Sequence, residues 1–347
     1  MQKVDYIIVG LGLAGVAFTR VLEQNNKTFV VFEDQSRQSS IVAGGMYNPV
    51  ILKRFTPVWD AEAQLNVALP FYKELEEFLG ATYDYPIDTY RLFTSIEEQN
   101  NWFAKSDHPF LSKYLVPKII VKSFKGIEAK FGYGKVLHTG RIDTKKLLND
   151  YKLYLKRKDC LQETSFNYDL IEQLEEEIKY KSIKADRVVF CEGFGIHKNP
   201  FFNYLPMNEV KGELITIHAP ELEIDFVLKS SVFIMPLCDG LFKVGATFNW
   251  KDKTSIPTTE GRTELVDKLD KLIKVPYKIV EHVAGIRPTV KDRRPLVGTH
   301  PENAKIAILN GLGTRGVMIA PRVAVELFNH LEKGEQLRTE ITIARFS

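Results

Sequence analysis

The stretch Asp5–Glu33, DYIIVGLGLAGVAFTRVLEQNNKTFVVFE, decides the fold. Asp5 to Val9 is a short apolar run rich in β-branched side chains and bounded by glycine, the pattern of a strand buried on both faces of a parallel sheet. GLGLAG follows at Gly10 to Gly15, and apolar positions at Val16, Phe18, Val21 and Leu22 then mark a helix. Thr28 to Phe32 forms a second apolar strand that ends at Glu33. In such a unit Gly10 permits the tight turn, Gly12 lets the backbone approach a pyrophosphate, and Gly15 allows close helix–strand packing. Leu13 and Ala14 open a helix whose free N–H groups and positive dipole end suit phosphates. Glu33, followed by Asp34, stands where a carboxylate accepts both ribose hydroxyls, which favours FAD or NAD over NADP. A lone GxGxxG is weak, but strand, turn, helix, strand and acid in register are specific for a dinucleotide.

The next segment, Ser39–Val50 (SSIVAGGMYNPV), reads as a loop of small residues. A nicotinamide dehydrogenase would place another plain βα unit there. A loop containing Ser40, Gly44, Gly45 and Met46 that lies along an isoalloxazine fits FAD better. Pro57 to Leu79 has helical spacing with Gly80 as a stop, and Ala81 to Val136 reads as short strands and aromatic-rich loops (TYRLF, KIIVKSF, KVLHT). Gly140 to Lys156 returns to a helix capped by Asp143 or Thr144, with strand-like pieces at Ser165–Asp169 and Ile178–Lys181. Arg187 to Cys191 is a buried strand ending at Glu192 and Gly193, where a nucleotide-binding sheet turns toward its cofactor. Gly212–His218, Val232–Met235 and Leu241–Thr247 suggest an antiparallel sheet. Then come a helix at Thr259–Ile273, the VEHVAGIR segment to Arg287, a strand at Ile306–Leu309, a second glycine-rich turn (GLGTRG) and a helix at Val317–Leu331. The expected fold is therefore α/β: a Rossmann-like, glutathione-reductase-type FAD-binding domain from residues 1–80, 140–207 and 285–347. An antiparallel-sheet substrate domain, residues 81–139 and 208–284, is inserted into it.

Bulk properties fit a globular protein. Of 347 residues, 44% are hydrophobic and 26% charged, and 47 basic against 44 acidic residues leave a formal charge of +3. That near balance argues against a dedicated nucleic-acid binder. Cys160, Cys191 and Cys238 are odd in number and widely spaced, as expected in a reducing compartment. No apolar run approaches a membrane span or a signal peptide, so a cytoplasmic location is expected. No metal-ligand spacing is present.

GLGLAG with Glu33, ADRVVFCEGFGI, MPLCDGLFKVGAT, AGIRPTVKDRRPLVG and NGLGTRGVMIAP occur in the order found in the D-amino-acid-oxidase-type flavoproteins, and the chain resembles that superfamily along nearly its whole length. That superfamily includes glycine oxidase, sarcosine oxidase and D-amino-acid dehydrogenases. It implies non-covalent FAD extended across the nucleotide domain, with its ring over the inserted sheet. It also implies oxidation of a C–N bond of an amino acid or amine, with hydride passing to flavin N5 and the imine hydrolysing in water. At the second turn Gly311, Leu312, Gly313, Thr314, Gly316 and Val317 offer backbone amides at a helix N-terminus to the negative charge of reduced flavin.

Three side chains carry the catalytic expectations. Arg287, in AGIRP, matches the carboxylate-binding arginine of amino-acid-oxidising relatives, and a guanidinium fork binds a carboxylate through two parallel hydrogen bonds. Arg315 matches a substrate-facing position. Lys243, in FKVG, matches the lysine that assists oxygen in sarcosine oxidase. Where relatives use tyrosines on the sheet, this hairpin offers Phe233 and Met235, and Tyr47 is an alternative source of a hydroxyl. His138, His282 and His300 are expected to be structural, and Lys53-Arg54 to be solvated. Two other readings stand beside the amine oxidase. One is an oxidase for a carboxymethylamino group on a modified tRNA uridine; the other is a flavin-binding protein without turnover.

Overall fold

The computed structural model describes residues 1–34, 36 and 39–346. Two eight-stranded sheets organise the chain. In the first, Leu161–Gln162, Phe29–Phe32, Gln2–Val9 and Ile183–Phe190 run parallel in that order, and Asn303–Asn310 joins Ile183–Phe190, also parallel. Every residue of Phe29–Phe32 is buried, which explains its uniformly apolar sequence. The helices Leu13–Gln24, Ala61–Leu79, Thr144–Arg157 and Gly316–Lys333 cover one face with a continuous core that includes Phe18, Tyr72, Tyr151 and Leu327. The antiparallel strands Ile171–Gln173 and Ile178–Tyr180 extend the sheet, and Phe190 and Phe202 pack on its second face.

The second sheet runs Lys278–Val290, Met207–His218, Leu241–Gly245, Phe233–Pro236, Val227–Lys229, Thr89–Leu92, Tyr133–Val136, Leu115–Ile120. Its neighbours are antiparallel except Val227–Lys229 with Thr89–Leu92. Side chains alternate between its faces: Ile215, Leu228, Ile234 and Val244 enter a core under the Thr259–Asp270 helix, while Leu214, Val227 and Phe233 face the first domain.

Several expectations shift. The domain boundary expected between residues 284 and 285 falls inside the strand Lys278–Val290, whose far end, Val290, still pairs with Met207. The segment 81–136 contains a helix, Ile96–Ser106, that sequence reading missed because only Trp102 and Ser106 are buried and its apolar period is faint. Its start is nevertheless written in Ser95-Ile96-Glu97-Glu98: the Ser95 hydroxyl accepts from the Glu98 N–H at 3.1 Å. Ser165–Asp169 is not a strand; Tyr168–Leu170 is a single 3₁₀ turn, and the Asn167 side chain accepts from the Asp169 N–H at 3.0 Å. The expected Pro57 helix begins at Ala61, because Thr56–Pro57 pairs with Val50–Ile51. Gly140–Ile142 is a strand rather than a helix start, and Asp143, accepting from Lys146 N–H at 3.0 Å, is the cap.

Candidate active site and cofactor cradle

A cavity of about 1240 Å³ runs between the two sheets. At one end, Gly10 adopts φ +98°, and a Cβ there would stand 2.6 Å from the Cys191 carbonyl oxygen. A Cβ on Gly15 would run into the Gly10 carbonyl, so this glycine serves packing and does not line the cavity. The Glu33 carboxylate accepts from the Leu11 N–H at 2.6 Å, which holds it at the rim of the glycine turn. Asp34 lies beside it and accepts from the Ser165 hydroxyl at 2.7 Å. Glu192 accepts from Asn199 Nδ2 at 2.7 Å and from the Tyr168 hydroxyl. Gly193 takes φ +54°, and its carbonyl accepts from Asn310 Nδ2 at 2.9 Å, so the ends of two parallel strands are tied together at the cavity wall.

Two helix N-termini converge here. Ser95, Asp143 and Thr258 cap their helices through side chains, whereas the helices opening at Leu13 and Gly316 have Gly12 and Arg315 at the cap position, neither making such a bond. Their first amides are left to other partners; Leu13 N–H donates to Ser40 at 3.2 Å. Ala14, Leu312, Gly313, Thr314, Gly316 and Val317 line the cavity, while Gly311, at φ +71°, sits behind the wall against Val290. Between these ends, Gly44, Gly45 and Met46 cross the cavity, with Gly44 close to the Phe233 ring and the Ser39 hydroxyl bonded to the Ile286 carbonyl at 2.5 Å.

Arg287 lines the same cavity from the second sheet. Its guanidinium lies on the backbone of Gly212, where any Cβ would collide with it, and beneath the Phe248 ring, 4.5 Å from the centroid. Nη1 donates to the Thr247 carbonyl at 3.2 Å and grazes that of Lys211 at 3.5 Å. Among the described residues no carboxylate pairs with it, and burial pulls its pKa down to about 10. Arg315 also lines the cavity without an ion-pair partner among the described residues; burial, then the nearby Arg293, lowers its pKa.

Lys243 does not line the cavity. It sits opposite Thr216 and Met235, and burial lowers its pKa against the opposing pull of Glu281. Phe233 lines the cavity but Met235 does not. The Tyr47 hydroxyl donates to Asp84 at 2.8 Å and is occupied there. His282 Nε2 lies 2.8 Å from Glu213, and His138 and His300 pack edge-on against aromatic rings; none of the three reaches the cavity. Lys53 stands exposed at the mouth. Sequence reading missed Gly212 and Phe248, which fix Arg287, and Asn310, which was quoted only as part of a motif. The glycine pair Gly212–Gly285, opposite each other in register, was the available signal.

A model of the DAO family, "FAD dependent oxidoreductase", matches residues 5–329. The chain belongs to this family. Glycine oxidase of Bacillus subtilis is 24% identical over 345 residues, covering 91% of this chain and 90% of its own. The tRNA 5-methylaminomethyl-2-thiouridine biosynthesis bifunctional protein of Marinobacter nauticus is 22% identical across 94% of this chain, which spans only 55% of that protein's length. The solved glycine oxidase of Geobacillus kaustophilus superposes with a TM-score of 0.77 at 19% identity, covering 100% of this chain and 98% of the other. This member of the DAO family is an FAD-dependent oxidoreductase, and its cradle fits the cofactor: a glycine turn whose Gly10 and Gly15 admit no Cβ, an acid at its rim, and two helix N-termini without side-chain caps. Gly10, Gly12, Leu13, Ala14 and Glu33 would hold the pyrophosphate and ribose end. Gly44 to Met46 and Leu312 to Val317 would flank the ring. No helix among the described residues is long and apolar enough to cross a membrane, and no group of side chains there could hold a metal.

Proposed function

We propose that the chain oxidises the C–N bond of a carboxylated amine, an amino acid or an N-substituted amino acid, with water hydrolysing the resulting imine. The observation that carries this reading is Arg287, a half-buried guanidinium on the cavity wall with no carboxylate partner among the described residues. A buried cation of this kind is costly until a ligand supplies the counter-charge. FAD held in this cradle would supply the two-electron acceptor for the carbon that bears nitrogen. Arg287 binds and orients the substrate carboxylate through its fork, and Phe248 keeps water off the guanidinium. Phe233, Leu214 and Val227 line the adjacent wall and exclude water from the reacting carbon. The amides of Leu312 to Gly316 would offer donors to negative charge on a reduced flavin ring, and Arg315, on the same cavity wall, would add a positive charge.

The test compares kcat/KM for a carboxylated amine and its decarboxylated analogue, N-methylglycine against dimethylamine. The wild type prefers the first by about a hundredfold, and Arg287→Ala abolishes the preference while retaining its yellow flavin. A preference that survives the substitution removes Arg287 from the role. A second reading, oxidation of a carboxymethylamino group on a modified tRNA uridine, is supported by the Marinobacter relative and offers Arg287 the same carboxylate. It requires tRNA binding that weakens steeply with salt.

A further inference from the structure

The cavity continues beyond Phe233 to a second cation. In register, Leu214 faces Gly245, Gly245 faces Phe233, Phe233 faces Lys229, and Lys229 faces Arg91. Leu214, Phe233, Lys229 and Arg91 line the cavity as one row on one face of the sheet. The two cations at the end of this row differ. Arg91 is neutralised by Glu98, through Nε at 2.7 Å and Nη2 at 2.6 Å, and is braced by the Ser230 carbonyl at 3.2 Å. Lys229 has no hydrogen-bond or ion-pair partner among the described residues. Burial, with Arg91 and Lys268 adding to it, pulls its pKa down to about 8, and no carboxylate opposes the shift.

Arg287 and Lys229 are thus two half-buried cations on one cavity wall, with no counter-ion among the described residues. The Arg287 guanidinium rests on Gly212 in the strand Met207–His218, and Lys229 lies three strands further across the sheet. Three steps of ~4.8 Å across the sheet and the two-residue offset of Gly212 from Leu214 along its strand, ~7 Å, set the two cations on the order of 16 Å apart. The wall between them is apolar: Leu214, Phe233 and Val227. That is the profile of a site for a molecule with an anion at each end and methylenes between.

We propose that Lys229 forms a second anion subsite, so that the preferred substrate is a dianionic secondary amine, with its carboxylate on Arg287 and a distal carboxylate or phosphonate on its N-substituent at Lys229. This rests on the carboxylate-binding reading of Arg287 and extends it. N-(4-carboxybutyl)glycine has the right reach: seven bonds between its carboxyl carbons span about 8 Å, and a charge contact of ~4 Å at each end covers the rest of the separation.

The experiment uses FAD-loaded protein and two readouts. In turnover, the wild type prefers N-(4-carboxybutyl)glycine over neutral N-pentylglycine by about tenfold or more. Lys229→Met brings the ratio near one through KM, and Lys229→Arg keeps it; a phosphonate end in place of the distal carboxylate tests whether the subsite distinguishes the two anions. In binding, octanedioate raises the melting temperature more than octanoate does, and the difference disappears in Lys229→Met. Equal treatment of the dianion and its neutral partner by the wild type, in both readouts, overturns the subsite. So does a preference that survives in Lys229→Met. Lys229-dependent tRNA binding that octanedioate fails to displace assigns the lysine to a polynucleotide phosphate and overturns it too. Failure of the Arg287 reading looks different: N-methylglycine turnover then becomes indifferent to Arg287→Ala, whatever happens at Lys229.

Discussion

Replacing Arg287 by methionine separates what this residue contributes to function from what it costs the fold. Burial holds its guanidinium at about 10, well below the ordinary arginine range, and no carboxylate among the described residues offsets the loss of water. A difference of that size corresponds to about 3 kcal/mol, of which roughly half remains after solvent screening of a partly exposed group. Because the folded-state value is the lower one, folding disfavours the charged form at every pH below about 10, and the penalty fades only as pH climbs from there toward the ordinary arginine range. At neutral pH the penalty is fully present. Methionine removes it but forfeits the contacts to the Thr247 carbonyl and the Phe248 ring, together about 1 kcal/mol. The FAD-loaded variant should therefore melt at the wild-type temperature or about 1–2 °C above it. Propionate makes the argument sharper. At about a hundred times its dissociation constant it should stabilise the wild type by roughly 2.7 kcal/mol and leave the variant unmoved. Differential scanning fluorimetry read at the flavin, with and without propionate, measures both. A variant that melts several degrees lower, or one that propionate still stabilises, refutes the reasoning, because Arg287 would then be part of the scaffold.

Gly212→Ala should raise KM for carboxylated amines about tenfold and spare FAD binding, since the new methyl displaces the guanidinium from its seat; steady-state kinetics with flavin content as control checks it. Glu33→Ala should weaken FAD binding about tenfold, seen as flavin release during dilution, because the acid held at the glycine turn is lost. Tyr47→Phe should leave turnover within about twofold and cost about 1 kcal/mol in denaturant unfolding, as the hydroxyl is spent on Asp84.

The nucleotide half was legible because its physics is local. A turn that admits no Cβ at Gly10 or Gly15, an apolar strand buried on both faces and an acid at the strand tip each leave a mark within a few residues. Arg287 was legible only through a motif; its seat on Gly212 joins residues 75 apart in sequence through strand pairing, which no local pattern reports. Lys229 was not legible at all: a lysine in a three-residue strand reads as solvated, and its place beside Arg91 on the cavity wall depends on pairing with Thr89–Leu92, contributed from far upstream. The helix Ile96–Ser106 was hidden for the opposite reason, since it buries too little to show a period although its capping residues were in plain view. Lys243 had a motif, yet its place off the cavity wall depends on which of several same-face positions the cavity reaches.

Anaerobic mixing of the FAD-loaded protein with glycine, D-amino acids, N-methylglycine and longer N-carboxyalkyl glycines tests the central claim most directly, because it reads the reductive half-reaction whatever accepts the electrons afterwards. At least one carboxylated amine should bleach the visible flavin absorbance, and its decarboxylated analogue should do so far more slowly. A flavin that dithionite bleaches but no amino acid or secondary amine touches would contradict the account.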